Sequence, residues 1–94
     1  MPAFRPDIPP HVAEVIRHFP PDLKQSIKSA IRALSANPNG GEPLVRELEG
    51  FWKFRVKRFR IVYTIDRRRK MIRIIAVGHR HRIYDQIAEF TTHR

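Results

Sequence analysis

The chain has 94 residues, no cysteine and a formal net charge of +10 at pH 7. That length fits one domain with a modest core, and the lack of cysteine excludes disulfides, thiolate metal sites and thiol nucleophiles. No apolar run nears the ~18 residues of a membrane span; the opening MPAFRPDIPP lacks the apolar stretch of a signal peptide, so a cytoplasmic protein is expected.

Residues 1–9 are rich in proline and read as an extended arm or edge strand through Ala3 to Ile8. Pro9-Pro10 precedes Val12, Val15, Ile16 and Phe19, an i, i+3, i+4, i+7 set that predicts a short amphipathic helix with proline at its start. Pro20-Pro21 ends it. Asp22 then supplies a first-turn acid, and Leu23, Ile27, Ala30, Ile31 and Leu34 form one apolar stripe, with Lys24, Lys28 and Arg32 off it. Asn37-Pro38-Asn39-Gly40-Gly41 stops this second helix. The two predicted helices, within residues 10–36, need a surface on which to lay their stripes.

That surface is a sheet over residues 51–78. Trp52, Phe54 and Val56 alternate with Lys53, Arg55 and Lys57 at the period of two of a strand. Lys57-Arg58-Phe59 reads as a tight turn, and Ile61, Tyr63 and Ile65 alternate with Arg60, Val62 and Thr64 in a second strand. Asp66 to Lys70 is a charged loop whose RRRK run reads as a solvated hairpin tip. Met71 to Val77 is a third strand, apolar enough for an interior position covered on both faces, and Gly78 is expected to end it. Residues 79–94 form a C-terminal functional segment with a short helix over Tyr84 to Phe90. The expected fold is α+β: one domain over residues 1–94, with an N-terminal helical hairpin on one face of a small, mainly antiparallel twisted sheet. Lys and Arg would occupy the other face, with Trp52 and Tyr63 in the core.

The charge is lopsided. Up to Gly50 there are six basic and six acidic residues; from Phe51 onward there are 13 Lys+Arg against Asp66, Asp85 and Glu89. Such a surface suits a polyanion, either nucleic acid or an acidic protein. A membrane is not expected, because that reading needs a basic amphipathic helix and the charge here is on strands.

The chain has no P-loop, dinucleotide fingerprint or zinc-ligand spacing, and the strands carry no paired carboxylates. Ser26, Ser29 and Ser35 are all in the second helix, where they read as surface residues unsuited to a triad. His79 and His81 are too few for a metal site even with Asp85, and His79 reads as structural. Arginine, lysine, histidine and tyrosine remain. That set suits RNA cleavage by the substrate's own 2′-hydroxyl, because the protein need not supply a nucleophile. Arginine can stabilise the phosphorane charge, histidine can move protons near neutrality, and tyrosine can stack on a splayed base. Composition alone supports binding nucleic acid better than cutting it.

Four segments, Leu48-Glu49-Gly50-Phe51-Trp52-Lys53-Phe54-Arg55-Val56, Phe59-Arg60-Ile61-Val62-Tyr63-Thr64-Ile65-Asp66, Ile75-Ala76-Val77-Gly78-His79-Arg80 and Ile83-Tyr84, resemble the RelE branch of the RelE/ParE toxin superfamily. The resemblance spans roughly Pro10 to Asp85, with the helical hairpin similar in layout more than in residues. It implies the toxin of a type II toxin–antitoxin system: a ribosome-dependent endoribonuclease that cuts mRNA in the A site without a metal or other cofactor. It also implies a RelB-like antitoxin and contacts with mRNA and rRNA, with a monomer when free and a larger complex with antitoxin. Carried over by position, the catalytic set is Lys53, Arg55, Arg60, Arg80, His81 and Tyr84. Arg60 and Arg80 would hold phosphate and transition-state charge, and Lys53 and Arg55 would orient the backbone and help activate the 2′-hydroxyl. Tyr84 would stack on a base or position the ribose. His81 would protonate the leaving group, with Arg82 as the alternative. Lys57, Arg58, Arg73 and Arg82 would bind nucleic acid. Lys57-Arg58 and Arg67 to Lys70 depart from the Gly-Asp-like turn and acidic tip frequent in such proteins, and both changes add positive charge.

Two other functions stay open: a ParE-like toxin that inhibits DNA gyrase without catalysis, and an inactive nucleic-acid-binding relative.

Overall fold

The computed structural model of the protein describes residues 3–79. Strand β1 (Arg5–Asp7) leads into helices α1 (Pro10–Arg17) and α2 (Pro21–Ala36), followed by β2 (Glu42–Pro43), β3 (Trp52–Val56), β4 (Phe59–Asp66) and β5 (Met71–His79). Single 3₁₀ turns occupy Pro38–Gly40 and Arg46–Leu48.

Both helices begin with proline at the first helical position, where a missing N–H costs nothing. The α2 stripe falls as expected: Ile27, Ala30, Ile31 and Leu34 are buried and Leu23 half-buried. In α1 the stripe is narrower. Val12 and Ile16 are buried, Val15 is 43% exposed, and Phe19 lies beyond the last helical residue, Arg17. Phe19 still packs, edge-on against Phe59 at 5.1 Å. Ser35 is buried rather than on the surface, and its hydroxyl donates to the Ile31 carbonyl at 3.0 Å. That i−4 bond satisfies the group without exposing it.

The sheet has the order β1-β5-β4-β3-β2. Neighbours are antiparallel except β1, which runs parallel to β5. β5 therefore has partners on both sides, as its apolar run suggested. It continues through Gly78 to His79 instead of stopping at Gly78, and Phe59 belongs to β4, leaving Lys57-Arg58 as the turn. Lys57 adopts a φ of 56°, the hand that a two-residue hairpin requires.

One face of the sheet meets the helices. Val56, Ile61, Tyr63, Ile72, Ile74 and Val77 join Val12, Ile16, Ile27, Ile31 and Leu34 in one core, with Trp52, Phe54, Phe59 and Ile65 packed at its margin. Each fully buried isoleucine contributes about 1.5–3 kcal/mol by leaving water. The opposite face is not purely basic. Val62 and Ala76 are buried there beneath Leu48, Phe51 and Ile75. A bulge explains the unbroken apolar run of β5: Val62 pairs with Ala76 but Tyr63 pairs with Ile74, so Ile75 is skipped. The extra residue lets Ile74 and Val77 both face the helices while Ala76 faces away.

The expected C-terminal helix over Tyr84 to Phe90 lies outside the described residues.

Candidate active site

The register of the β3–β4 hairpin determines which cations meet. Arg55 pairs directly with Arg60, and Lys53 pairs with Val62. Side chains two apart on a strand share a face, so Lys53, Arg55 and Arg60 converge on the face away from the helices. On the other side of β4, Arg60 pairs with Gly78, which has no side chain to place beside the guanidinium. Like charges directly opposite each other destabilise a sheet. A pair of arginines held this way is therefore a cost that an anion would remove.

Local contacts orient the group. The Arg55 Nε donates to the Lys57 carbonyl at 3.1 Å, across the hairpin turn. The Lys53 ammonium lies 3.6 Å from Glu42 on β2. Arg60 is half-buried, and its Nε is out of contact with water and has no hydrogen-bond partner among the described residues. A buried guanidinium N–H without an acceptor is costly. Lys53, Arg55 and Arg60, with Phe54, Gly40, Gly41 and Glu42, line a cleft of about 320 Å³. Its chemistry is that of an anion receptor, because an entering oxyanion would pair with these cations and screen the opposed arginines.

The loop wall of this cleft hangs on Tyr63. Its hydroxyl donates to the Pro38 carbonyl at 2.7 Å and accepts from the Gly41 N–H at 3.1 Å. Tyr63 is 0% exposed, so this core residue also ties the loop after α2 to β4, the strand bearing Arg60. Replacement by phenylalanine should leave both backbone groups without a partner and cost about 1–3 kcal/mol, read as a lowered melting temperature. A pH effect accompanies it. Burial raises the phenol above its ordinary 10.0, with the Gly41 N–H pulling partly back. The fold thus favours the protonated phenol, a contribution complete below about pH 10 and lost as pH climbs through the higher folded value. Tyr63→Phe should flatten that alkaline loss in urea melts run from pH 9 to 11.

The other expected site residues divide into three groups. Lys57 and Arg58 sit exposed on the turn beside the cleft. Arg73 pairs with Thr64, four positions along β4 from Arg60, and its guanidinium is held by Asp7 of β1 at 2.9 Å; it stands apart from the cluster. Arg80, His81, Arg82 and Tyr84 lie outside the described residues. His79 packs its ring on Phe59 at 4.5 Å. Glu42 and Gly41 were not anticipated as parts of the cleft. Asn37 to Gly41 gave only the signal of a helix stop, and Glu42 lies on a two-residue strand too short to show a period.

Among the described residues no helix is long and apolar enough to cross a membrane.

A family profile described as the ParE toxin of type II toxin–antitoxin systems, parDE, matches residues 11–84. No curated protein sequence matches the chain. Three solved structures are similar. The RelBE2 toxin–antitoxin complex of Mycobacterium tuberculosis is 28% identical with a TM-score of 0.75, over 85% of this chain and 94% of that one. The free E. coli RelE toxin, as a double mutant, is 15% identical with a TM-score of 0.75, over 93% and 96%. The YoeB–YefM complex of Staphylococcus aureus is 20% identical with a TM-score of 0.67, over 83% and 98%.

Proposed function

The chain belongs to the ParE toxin family of type II toxin–antitoxin systems, within the RelE/ParE superfamily, and we propose that it is a RelE-type endoribonuclease cutting mRNA in the ribosomal A site. The observation that carries this reading is the buried Arg60 Nε, without a hydrogen-bond partner among the described residues, between the opposed Arg55 and the side-chain-free Gly78. A toxin that acts only by binding a protein has no use for a recessed guanidinium aimed at an oxyanion.

In the proposed mechanism the scissile phosphate enters the cleft and Arg60 grips its non-bridging oxygens. Arg60 strengthens its hold as the phosphorane gains charge, so the interaction favours the transition state over the ground state. Lys53 and Arg55 align the ribose-phosphate backbone and lower the cost of ionising the 2′-hydroxyl, which gives its proton to water and attacks the adjacent phosphorus. The P–O5′ bond breaks, leaving a 2′,3′-cyclic phosphate and a 5′-hydroxyl. Arg80 adds a second charge clamp, Tyr84 stacks on a base, and His81 or Arg82 protonates the departing 5′-oxygen. Lys57 and Arg58 extend the phosphate path along the turn. A RelB-like antitoxin, as in the M. tuberculosis complex, silences the toxin in a cytoplasmic assembly.

Primer extension on mRNA from translating cells after induction tests the reading. The expected result is a set of cuts confined to translated frames and phased with A-site codons. Intact mRNA together with double-strand DNA breaks would instead establish the gyrase-directed mode of the ParE branch, and intact mRNA and DNA with no growth arrest an inactive relative.

A further inference from the structure

The opposite end of the β4–β5 hairpin carries a second concentration of charge that the cleft does not use. Arg67, Arg68, Arg69 and Lys70 are all exposed at its tip. From Arg60 to Asp66 the strand runs six residues, about 20 Å at the rise of a β-strand, so Arg60 and the far side of the tip, Arg68 to Lys70, do not reach the same phosphate. The tip's backbone is fixed at both ends. The Arg69 N–H donates to Asp66 Oδ1 at 3.0 Å, and the Lys70 carbonyl accepts from the Arg5 N–H at 2.9 Å. That second bond brings exposed Arg5 alongside the run. Neutralisation is slight: the one carboxylate within 4.0 Å of these side chains, among the described residues, is Asp66 against Arg69. Arg67 instead donates to the neutral amide of Asn39 at 3.0 Å.

We propose that Arg67 to Lys70, with Arg5, form a second RNA-binding surface that grips the sugar-phosphate backbone of structured RNA independently of the cleft. Four cations on an anchored loop and a fifth, Arg5, on the neighbouring strand, with one acid beside them, match a phosphate track in charge and in reach. Arginine forks suit bidentate phosphate contact. A protein partner is the weaker match, because protein interfaces concentrate their energy in buried aromatic and apolar anchors. The tip has none; the large apolar residues that stand exposed among those described are Val15, on α1, and Val45, before the second 3₁₀ turn. The surface does not depend on cleavage, so it stands or falls separately from the proposed catalysis.

The test is fluorescence anisotropy of a labelled 20-base-pair RNA duplex titrated with the full chain across a salt series. Arg68→Gln/Arg69→Gln/Lys70→Gln should bind about 10–30-fold more weakly than wild type at low salt. The slope of log affinity against log salt should shrink by about 2, from lost counterion release. Arg68→Lys/Arg69→Lys, which keeps the charge, should bind within about threefold of wild type. Circular dichroism melts should coincide for all three proteins. Binding and salt slope unchanged in the glutamine variant would overturn the proposal, as would an equal loss in the lysine variant. A glutamine variant that kept its RNA affinity but lost binding to its antitoxin would assign the tip to a protein interface and also overturn it.

Discussion

Arg60→Ala is expected to lower the rate of mRNA cleavage by about 10²–10³-fold, the usual penalty for removing one donor aimed at developing oxyanion charge. The same change should barely move stability. Arg60 is half-buried, and its Nε makes no hydrogen bond among the described residues, so truncation removes an unsatisfied donor rather than a structural bond. It also relieves the direct cross-strand opposition to Arg55. A residue that costs the fold something in isolation and whose loss abolishes activity is the signature of a site built for its ligand. Arg60→Lys keeps the charge but loses the planar fork, and should recover only part of the rate. Single-turnover cleavage on programmed ribosomes measures the first effect and thermal melting the second. A melting temperature lowered by ~10 °C, with activity falling only in proportion to the folded fraction, would make Arg60 structural.

Gly41→Ala should have the largest effect on the fold itself. A Cβ at this position would clash with the Lys53 carbonyl oxygen and stand 2.5 Å from the Tyr63 hydroxyl. The first contact is with the backbone of β3, and the second is with the group that ties down the loop. Neither can swing aside as the tip of a flexible side chain would. Overpacking of this kind costs about 1–3 kcal/mol, and pushing the Tyr63 hydroxyl off Gly41 adds the loss of a buried hydrogen bond. For a chain of this size each kcal/mol lowers the melting temperature by roughly 4–8 °C. Activity should fall even at temperatures where the variant is folded, because the moved loop is a wall of the cleft and carries Glu42 beside Lys53. Lys53→Ala in the same background should then cost less than it does alone, since the two changes act on one contact. Fully additive effects would mean that the loop does not position Lys53.

Much of this was legible in the sequence, for identifiable reasons. The α2 stripe and the alternation in β3 and β4 are strong periodic signals, and alternation alone places Lys53, Arg55 and Arg60 on one face. Prolines at 9–10 and 20–21 marked both helix starts, since proline is tolerated there and almost nowhere else in a helix. What stayed hidden depended on partners distant in sequence. The bulge at Ile75 is invisible because Ile, Ile, Ala and Val fit either face, and Gly78 looked like a strand end because nothing local reveals that it pairs with Arg60. The exposure of Val15 reflects a helix of only eight residues, too short to present a wide buried face. Tyr63 was readable as core, but its hydroxyl contacts lie 22 and 25 residues away. The same distance effect concealed the Arg73–Asp7 pair, which spans 66 residues.

The central claim is that the clustered cations of β3 and β4 drive a reaction whose nucleophile belongs to the RNA. It is tested most directly by giving the purified toxin ribosomes programmed with two mRNAs, identical except for a 2′-O-methyl group on the ribose preceding the scissile phosphate. The expected result is rapid cutting of the unmodified message to a 2′,3′-cyclic phosphate end, with the methylated message bound but left whole. Equal cutting of both messages, or a 3′-hydroxyl end on the upstream fragment, would contradict the claim, because the attacking oxygen would then have come from water.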